Sequence, residues 1–482
     1  MAMGEGRLTI LQINDVHGYL EPHPELVWTG EGPTYPDLGG YARISGYFRQ
    51  VRQETGGAVL ALDNGDTFHG TLPVVASRGR ALLPILGHLG LDGMTAHWDF
   101  AYGPAELKAL AAALPYPVLA ANCYERDGGR LSFPPTRAVE RGGLRVGVIG
   151  IAATIVDKTM PPHFSTGVRL TLGRDELPGH VAQLRDVEGV DLVVVLSHLG
   201  FPQDIKLAGE IDGIDVLLSG HTHNRMERPG LVNGATIIQS GCHGAFVGRL
   251  DISKDAAGQL AIAHRLVPMN AGIAPDPDME ALVEAALAPH RALLASSAGR
   301  TEIALDRNRM FASTTDDLLL AAIAAAAGTK IAFSNGWRYG APIPPGPITM
   351  ENLHNVIPSD PPVSVVDLTG AELVDMLEEN LHRTFAADPY EQMGGYLKRS
   401  RGLRLLAKIE NPRGQRVQAL FVGAEPVRPD GVYRAAFVTH QGVPASYGRN
   451  RANLDVHAVE ALRRLLEGGT WTGAPAEGVV IV

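Results

Sequence analysis

The chain has 482 residues, 45% of them hydrophobic, with 42 basic and 52 acidic side chains giving a formal net charge of −10. That length exceeds what one ordinary core organises and implies two domains. No apolar stretch reaches the length needed to span a bilayer, and an acidic chain without a Lys/Arg stripe among aromatics excludes a nucleic-acid polymer as partner.

The first residues, Met1 to Gly6, hold no basic region followed by an apolar one. The chain as written is therefore expected in the cytoplasm, and in the periplasm if a leader has been removed ahead of it. Short Val/Ile/Leu-rich runs then alternate with helical patterns, as in an α/β domain. Strands are predicted at Leu8–Ile13, Ala58–Leu62, Leu144–Ile151, Leu192–Leu196, Val216–Leu218 and Thr236–Gln239. Most are followed at once by Asp, Asn, Gly, Ser or His, so polar groups collect at the carboxyl ends of buried strands, where α/β sheets bind ligands. After a first domain over residues 1–275, helical spacing from Met279 to Leu294 predicts a linker helix within residues 276–300. The second domain, 301–482, carries an Ala-rich run at Ala321–Ala327 read as a buried helix, a Pro/Gly-rich segment from Gly340 to Pro347, and an amphipathic helix from Ala371 to Thr384. The two cysteines, Cys123 and Cys242, exclude a disulfide framework and read as small buried thiols.

Five strings of metal-binding residues close the apolar runs of the first domain: Asp15-Val16-His17, Gly65-Asp66, His97-Trp98-Asp99, Ser197-His198 and Gly220-His221-Thr222-His223. Alone, Asp15-Val16-His17 fits a turn as well as a ligand pair, Gly65-Asp66 fits an ordinary turn, and His198 fits a hydrogen-bonded core residue. Two imidazoles two residues apart after a buried strand, His221 and His223, have little use in packing. Taken in order, the strings predict a two-metal hydrolase site of carboxylates and neutral imidazoles, ligands that zinc and manganese accept. Asp212 and Asp215 read as solvated turn residues.

These strings resemble those of the calcineurin-like metallophosphoesterases, in the family of the 5′-nucleotidases and the SoxB-type thiosulfohydrolase. Asn14-Asp15-Val16-His17, Asn64-Gly65-Asp66-Thr67-Phe68, Leu196-Ser197-His198 and Gly220-His221-Thr222-His223 carry the likeness in the first half. Ser334-Asn335-Gly336-Trp337-Arg338, Ile343–Thr349 and Leu368–Leu373 resemble the family's C-terminal substrate domain. The resemblance implies a four-layer β-sandwich flanked by helices, followed by a 5′-nucleotidase-type α/β substrate domain. It implies two divalent ions, manganese or zinc, with Asp15, His17 and His223 on one, His198 and His221 on the other, and Asp66 bridging. His97 stands where the family carries an asparagine ligand. On this basis Asp66, His97 and Asp99 are assigned as the catalytic group, with Asn335, Arg338 and Arg309 meeting a small anionic substrate.

Two departures bear on the reaction. Trp98 and Ala101 stand where the family places a His/Asp proton-handling dyad, and neither can protonate a leaving group. Pro358-Ser359-Asp360-Pro361-Pro362 replaces the string whose aromatic side chain stacks on a nucleobase, a contact worth roughly 1–3 kcal/mol. The expected function is hydrolysis of a phosphate monoester, a nucleotide or related anion, by attack of metal-bound hydroxide. One alternative is a SoxB-type thiosulfohydrolase cleaving a sulfonate from a thiol carrier protein, since His-Trp before an acidic residue and Asp388–Tyr396 both resemble that branch. The other is a non-catalytic, metal-dependent anion-binding protein.

Overall fold

The computed structural model describes residues 6–473 and 478–482, which form two compact units. Of these, the first comprises residues 6–25 with Pro36–Pro289, and the second Leu26–Tyr35 with residues 290–473 and 478–482.

In the first unit, a five-stranded sheet has the order Leu260–Pro268, Phe246–Lys254, Gly6–Ile13, Val59–Asp63, Gly93–Met94. A six-stranded sheet has the order Gly230–Val232, Ala235–Ile238, Val216–Leu218, Leu192–Ser197, Leu144–Ile151, Thr136–Arg141. The predicted strands thus lie inside the sheets, where unbroken apolar runs are needed because both faces are covered. The sheets face each other across one core: Leu8, Ile10, Leu60 and Leu62 meet Val146, Val148, Val194 and Val216. The outward residues Ile149, Val193, Val195 and Leu217 pack under Leu177, Val181 and Leu207 of the helical segments Leu177–Ala182 and Phe201–Glu210. Leu11, Ile13 and Ala61, on the outer face of the first sheet, are buried too, and the helices Tyr41–Glu54, Leu83–Leu89 and Pro277–Leu287 pack together in this unit. The result is the four-layer sandwich.

The predicted linker helix is two pieces, Pro277–Leu287 and Arg291–Leu294. Pro277–Leu287 buries Met279, Val283 and Leu287 and packs on the helices just named, so it is part of the first unit's outer layer. Asp276 starts it, its side chain accepting the Asp278 N–H. Asp215 is not a solvated turn residue: it is half-buried, accepts the Val193 N–H at 2.6 Å and pairs with Arg185.

The second unit is built on the sheet order Tyr396–Arg401, Ile331–Gly336, Val432–Phe437, Pro362–Thr369, Arg449–His457. The helix Thr314–Ala327 packs on the helix Ala458–Glu467 and on this sheet; Ala321–Ala324 are buried, whereas Ala325 and Ala326 reach solvent. The amphipathic helix runs Gly370–Phe385, opened by a reciprocal cap between Thr369 and Glu372. Its residues Leu373, Met376, Leu377 and Leu381 fill a second core with Phe333, Val366 and Phe437. No helix among the described residues is long and apolar enough to cross a membrane.

Candidate metal centre

Parallel pairing puts the polar strings side by side. Ile13 lies opposite Asp63, and Leu196 opposite Leu218, so the turns beginning at Asn14, Asn64, His198 and Ser219 leave one edge of the sandwich together. The turns are tight: Asp15, His17, Asp66, His221 and His223 all adopt left-handed backbone, with φ of 51°, 52°, 58°, 69° and 57°. Such a conformation is costly for a residue with a Cβ and clusters at functional sites. Two of these turns are stitched to each other, Asp15 N–H donating to Gly65 O at 3.0 Å and His17 N–H to Asp66 O at 2.7 Å.

Two quartets of ligand atoms result, each with all its atoms within 4.8 Å of one another: Asp15, His17, Asp66 and the half-buried His223, and the wholly buried Asp66, His97, His198 and His221. Asp66 belongs to both. Its Oδ2 lies 3.5 Å from His17 Nε2 and 3.3 Å from His198 Nε2, and its Oδ1 lies 3.1 Å from His97 Nδ1. Asp15 Oδ1 lies 3.3 Å from His223 Nε2 and 3.6 Å from His198 Nε2. His17 Nε2 and His223 Nε2 face each other at 3.3 Å. Two imidazole nitrogens that close need a proton or a cation between them.

The rings are aimed by their other nitrogens. His198 Nδ1 meets Asn64 O at 2.6 Å, and His17 Nδ1 meets His69 O at 3.3 Å, which turns each Nε2 inward. Asn64 is itself pinned, donating to Ser197 O at 2.8 Å and Leu218 O at 2.7 Å and accepting from Gln12 Nε2 at 2.7 Å. Burial drives the His17 imidazole down to about 3, leaving a neutral ring able to donate a lone pair. Burial also opposes charge on His198, but Asp66 and Asp15 outweigh it and lift this ring to about 10. Burial likewise opposes charge on Asp66 and Asp15, yet the surrounding imidazoles hold both carboxyls below their usual range. The donor set fits two divalent cations. The buried His97 Nε2 has no hydrogen-bond partner among the described residues, as expected of a lone pair reserved for an ion.

Asp99 does not face this cluster. Fully buried, it accepts four backbone N–H groups: Asp66 at 2.9 Å and His97 at 3.0 Å on Oδ2, Thr67 at 3.0 Å and Phe68 at 2.9 Å on Oδ1. Its assignment to the catalytic group is corrected accordingly: it shapes the turn that carries Asp66. Trp98 donates its N–H to Asp66 Oδ1 at 2.6 Å, and its ring stacks on His69 at 4.8 Å between centroids. Burial brings His69 down to about 4, so it is neutral at physiological pH. Sequence reasoning passed over Asn64 as an organiser, and over Glu25, which pairs with Arg225 and accepts from the His243 ring at 3.3 Å. Asn64 stood in the sequence directly after a buried strand, at the head of the string Asn64-Gly65-Asp66-Thr67-Phe68, but neither signal marks it as an organiser.

In the second unit, Arg338 is half-buried, donates to Gly395 O at 3.1 Å and lies over the Tyr396 ring at 5.3 Å. Asn335 is half-buried, its carbonyl accepting Trp337 N–H at 3.0 Å. Arg309 is exposed, and its carbonyl accepts from Arg399 at 2.7 Å. A buried arginine absent from the predicted set organises this region: Arg307 meets both oxygens of Asp316 at 3.3 Å and donates to Tyr339 O at 2.9 Å and Val356 O at 2.8 Å. Cys123 and Cys242 are buried and not joined in a disulfide.

A four-layer sandwich with a shared-carboxylate His/Asp cluster at its strand ends defines a calcineurin-like metallophosphoesterase. The family model for calcineurin-like phosphoesterase matches residues 8–225, and that for the 5′-nucleotidase C-terminal domain matches residues 293–442. The Bacillus subtilis trifunctional nucleotide phosphoesterase protein YfkN is 25% identical over 89% of this chain and 31% of its own length. Sulfate thiohydrolase SoxB from Thermus thermophilus superposes with a TM-score of 0.89 at 27% identity, covering 99% of this chain and 97% of that one. A 5′-nucleotidase precursor, also from Thermus thermophilus, superposes with a TM-score of 0.86 at 26% identity, covering 99% of both. The chain spans about a third of the length of two of the curated relatives it matches. It belongs to the metallophosphoesterases of the 5′-nucleotidase family.

Proposed function

We propose that this protein hydrolyses a phosphate monoester, a nucleotide or related small anion, at a dinuclear centre of manganese or zinc ions. The observation that carries the reading is the pair of quartets joined through Asp66. When bound, two such ions supply Lewis-acid charge to the substrate anion and lower the pKa of water. The chain's own part is to hold and aim. Asp66 serves both positions, fixed by the Trp98 N–H on its carboxylate and by Asp99 on its backbone. Asn64 O fixes the tautomer of His198, and Arg338 and Asn335 are the candidates to meet the anion. Trp98 and Ala101 offer no proton, so leaving groups that depart as stable anions are favoured.

A metal-supplemented activity screen over aryl phosphates, nucleoside monophosphates, sugar phosphates and thiosulfonates tests the proposal. Aryl phosphates should turn over far faster than alkyl esters of higher leaving-group pKa. Equal rates for the two would show that another group supplies the proton, and no turnover of any phosphate would sink the phosphatase reading.

A SoxB-type activity is the second reading, favoured by Trp98 and Ala101 at the dyad positions, by the string His97-Trp98-Asp99, and by the similarity to the SoxB structure. A thiol leaving group with pKa about 8.5 departs without a proton donor, which an alkoxide does not. Cleavage of thiosulfonates with no turnover of phosphates would select this reading.

A further inference from the structure

Beside the two quartets lie two buried donors, Cys242 and His243, that the proposed hydrolysis leaves unused. Cys242 and His243 follow the strand Ala235–Ile238, and Cys242 Sγ is 3.4 Å from His243 Nδ1. A nitrogen of His223 completes a trio whose ligand atoms all lie within 4.8 Å of one another. Nitrogen and sulfur bound to one tetrahedral ion at ordinary bond lengths stand roughly 3.5 Å apart.

The backbone holds this arrangement in place. His243, like His223, adopts left-handed backbone, with φ of 56°, and the two rings stand edge to face at 5.9 Å. Glu25 Oε2 reaches the same Nδ1 of His243 at 3.3 Å and so fixes the tilt of the ring. His223 has a nitrogen for each neighbour: Nε2 faces Asp15 at 3.3 Å, and the buried Nδ1 has no hydrogen-bond partner among the described residues.

The chemistry of the trio differs from that of the quartets. Each quartet contains at least one carboxylate; the trio contains none and adds a thiol. Soft sulfur with two imidazoles selects thiophilic ions over oxygen-preferring ones such as manganese.

We propose that His223, Cys242 and His243 form a third metal position, selective for a thiophilic divalent ion such as zinc or cadmium and sharing His223 with the Asp15/His17/Asp66 quartet. This rests on the reading of His223 as a ligand of that quartet. Binding transfers two protons to water, the thiol proton of Cys242 and the remaining ring N–H proton of His223, so that a thiolate and a bridging imidazolate each donate an electron pair to the ion. Since one imidazole serves both positions, filling the third alters the first. Excess zinc therefore inhibits the manganese-loaded enzyme.

The test is titration of the manganese-loaded full chain with cobalt(II), followed by sulfur-to-cobalt charge-transfer absorption in the near ultraviolet and by metal analysis. In the wild type the band should appear as total metal rises above two ions per chain. Cys242→Ser should keep two ions, show no band, and lose the inhibition by excess zinc. A wild-type protein that holds two ions and gives no band overturns the third position, as does an equally strong band or equal zinc inhibition in Cys242→Ser. Manganese content below two ions per chain before titration overturns the dinuclear reading, and the shared position with it.

Discussion

Replacing Asp99 by Asn separates a role in shaping the site from a role in proton transfer. The carboxylate takes two backbone N–H groups on each oxygen, within 2.9–3.0 Å, in a fully buried setting. An amide keeps one accepting oxygen and turns an NH2 donor toward the other two N–H groups. Leaving two buried donors without acceptors costs roughly 1–3 kcal/mol each, so Asp99→Asn should lose about 2–6 kcal/mol. That is a large part of a typical domain's stability of about 5–15 kcal/mol. Because the affected donors belong to Asp66, Thr67, Phe68 and His97, metal affinity should fall together with stability. Urea unfolding with metal analysis at graded manganese concentration reads both quantities. Activity should track metal content and recover in part at high manganese. A variant with an unchanged urea midpoint and two bound ions, yet no turnover, would refute this reasoning and return Asp99 to the catalytic group.

His97→Ala should lose the ion of the Asp66/His97/His198/His221 quartet while retaining the other, read by metal analysis of the folded variant. Arg338→Ala should weaken every accepted substrate by about 10–100-fold in KM, the equivalent of roughly 1.5–3 kcal/mol for a lost charge-assisted contact, with metal content unchanged. Lys398 is buried and donates to Gln441 O at 2.6 Å and Gly442 O at 2.8 Å; burial brings its pKa from 10.5 down to about 7. Between these values the unfolded chain binds a proton that the folded chain does not, so this group's contribution to stability rises with pH, by at most about 1.4 kcal/mol per pH unit. Thermal melts from pH 7 to pH 10 should show the wild type gaining on Lys398→Met, and parallel curves would remove Lys398 as the cause.

The central strands were legible because buried parallel strands need unbroken Val/Ile/Leu runs, as at Leu192–Leu196, with a polar residue ending each. The hairpin Phe246–Lys254 with Leu260–Pro268 was not. Its first strand carries Gly248, Arg249 and Asp251, and its second is half exposed along its length, so neither gives a clean apolar period. The helix predicted from Met279 to Leu294 breaks near Pro289, and its apolar face belongs to the first unit's helical layer, a fact only packing reveals. In the candidate site, His221 and His223 were visible as a rare pair after a strand. The part played by Asp99 was hidden because four backbone donors from two separate turns converge on it, and one-dimensional spacing does not record backbone N–H directions. The same holds for Glu25 and Arg225, paired across 200 positions.

The left-handed turns that carry Asp15, His17, Asp66, His221 and His223 also bear on how long the molecule survives in a cell. Each holds conformational energy on the order of 1 kcal/mol that the hydrogen bonds between the turns offset in part, and that bound cations between the crowded imidazoles and carboxylates would offset further. With two ions bound as proposed, the supply of divalent metal would act as a maturation checkpoint. A chain that has acquired its ions has its strand-end turns locked from both sides, while one that has not keeps them at the low end of the local stability range, open to hydrogen exchange and to proteases. Metal starvation would then lower the amount of the protein as well as its specific activity.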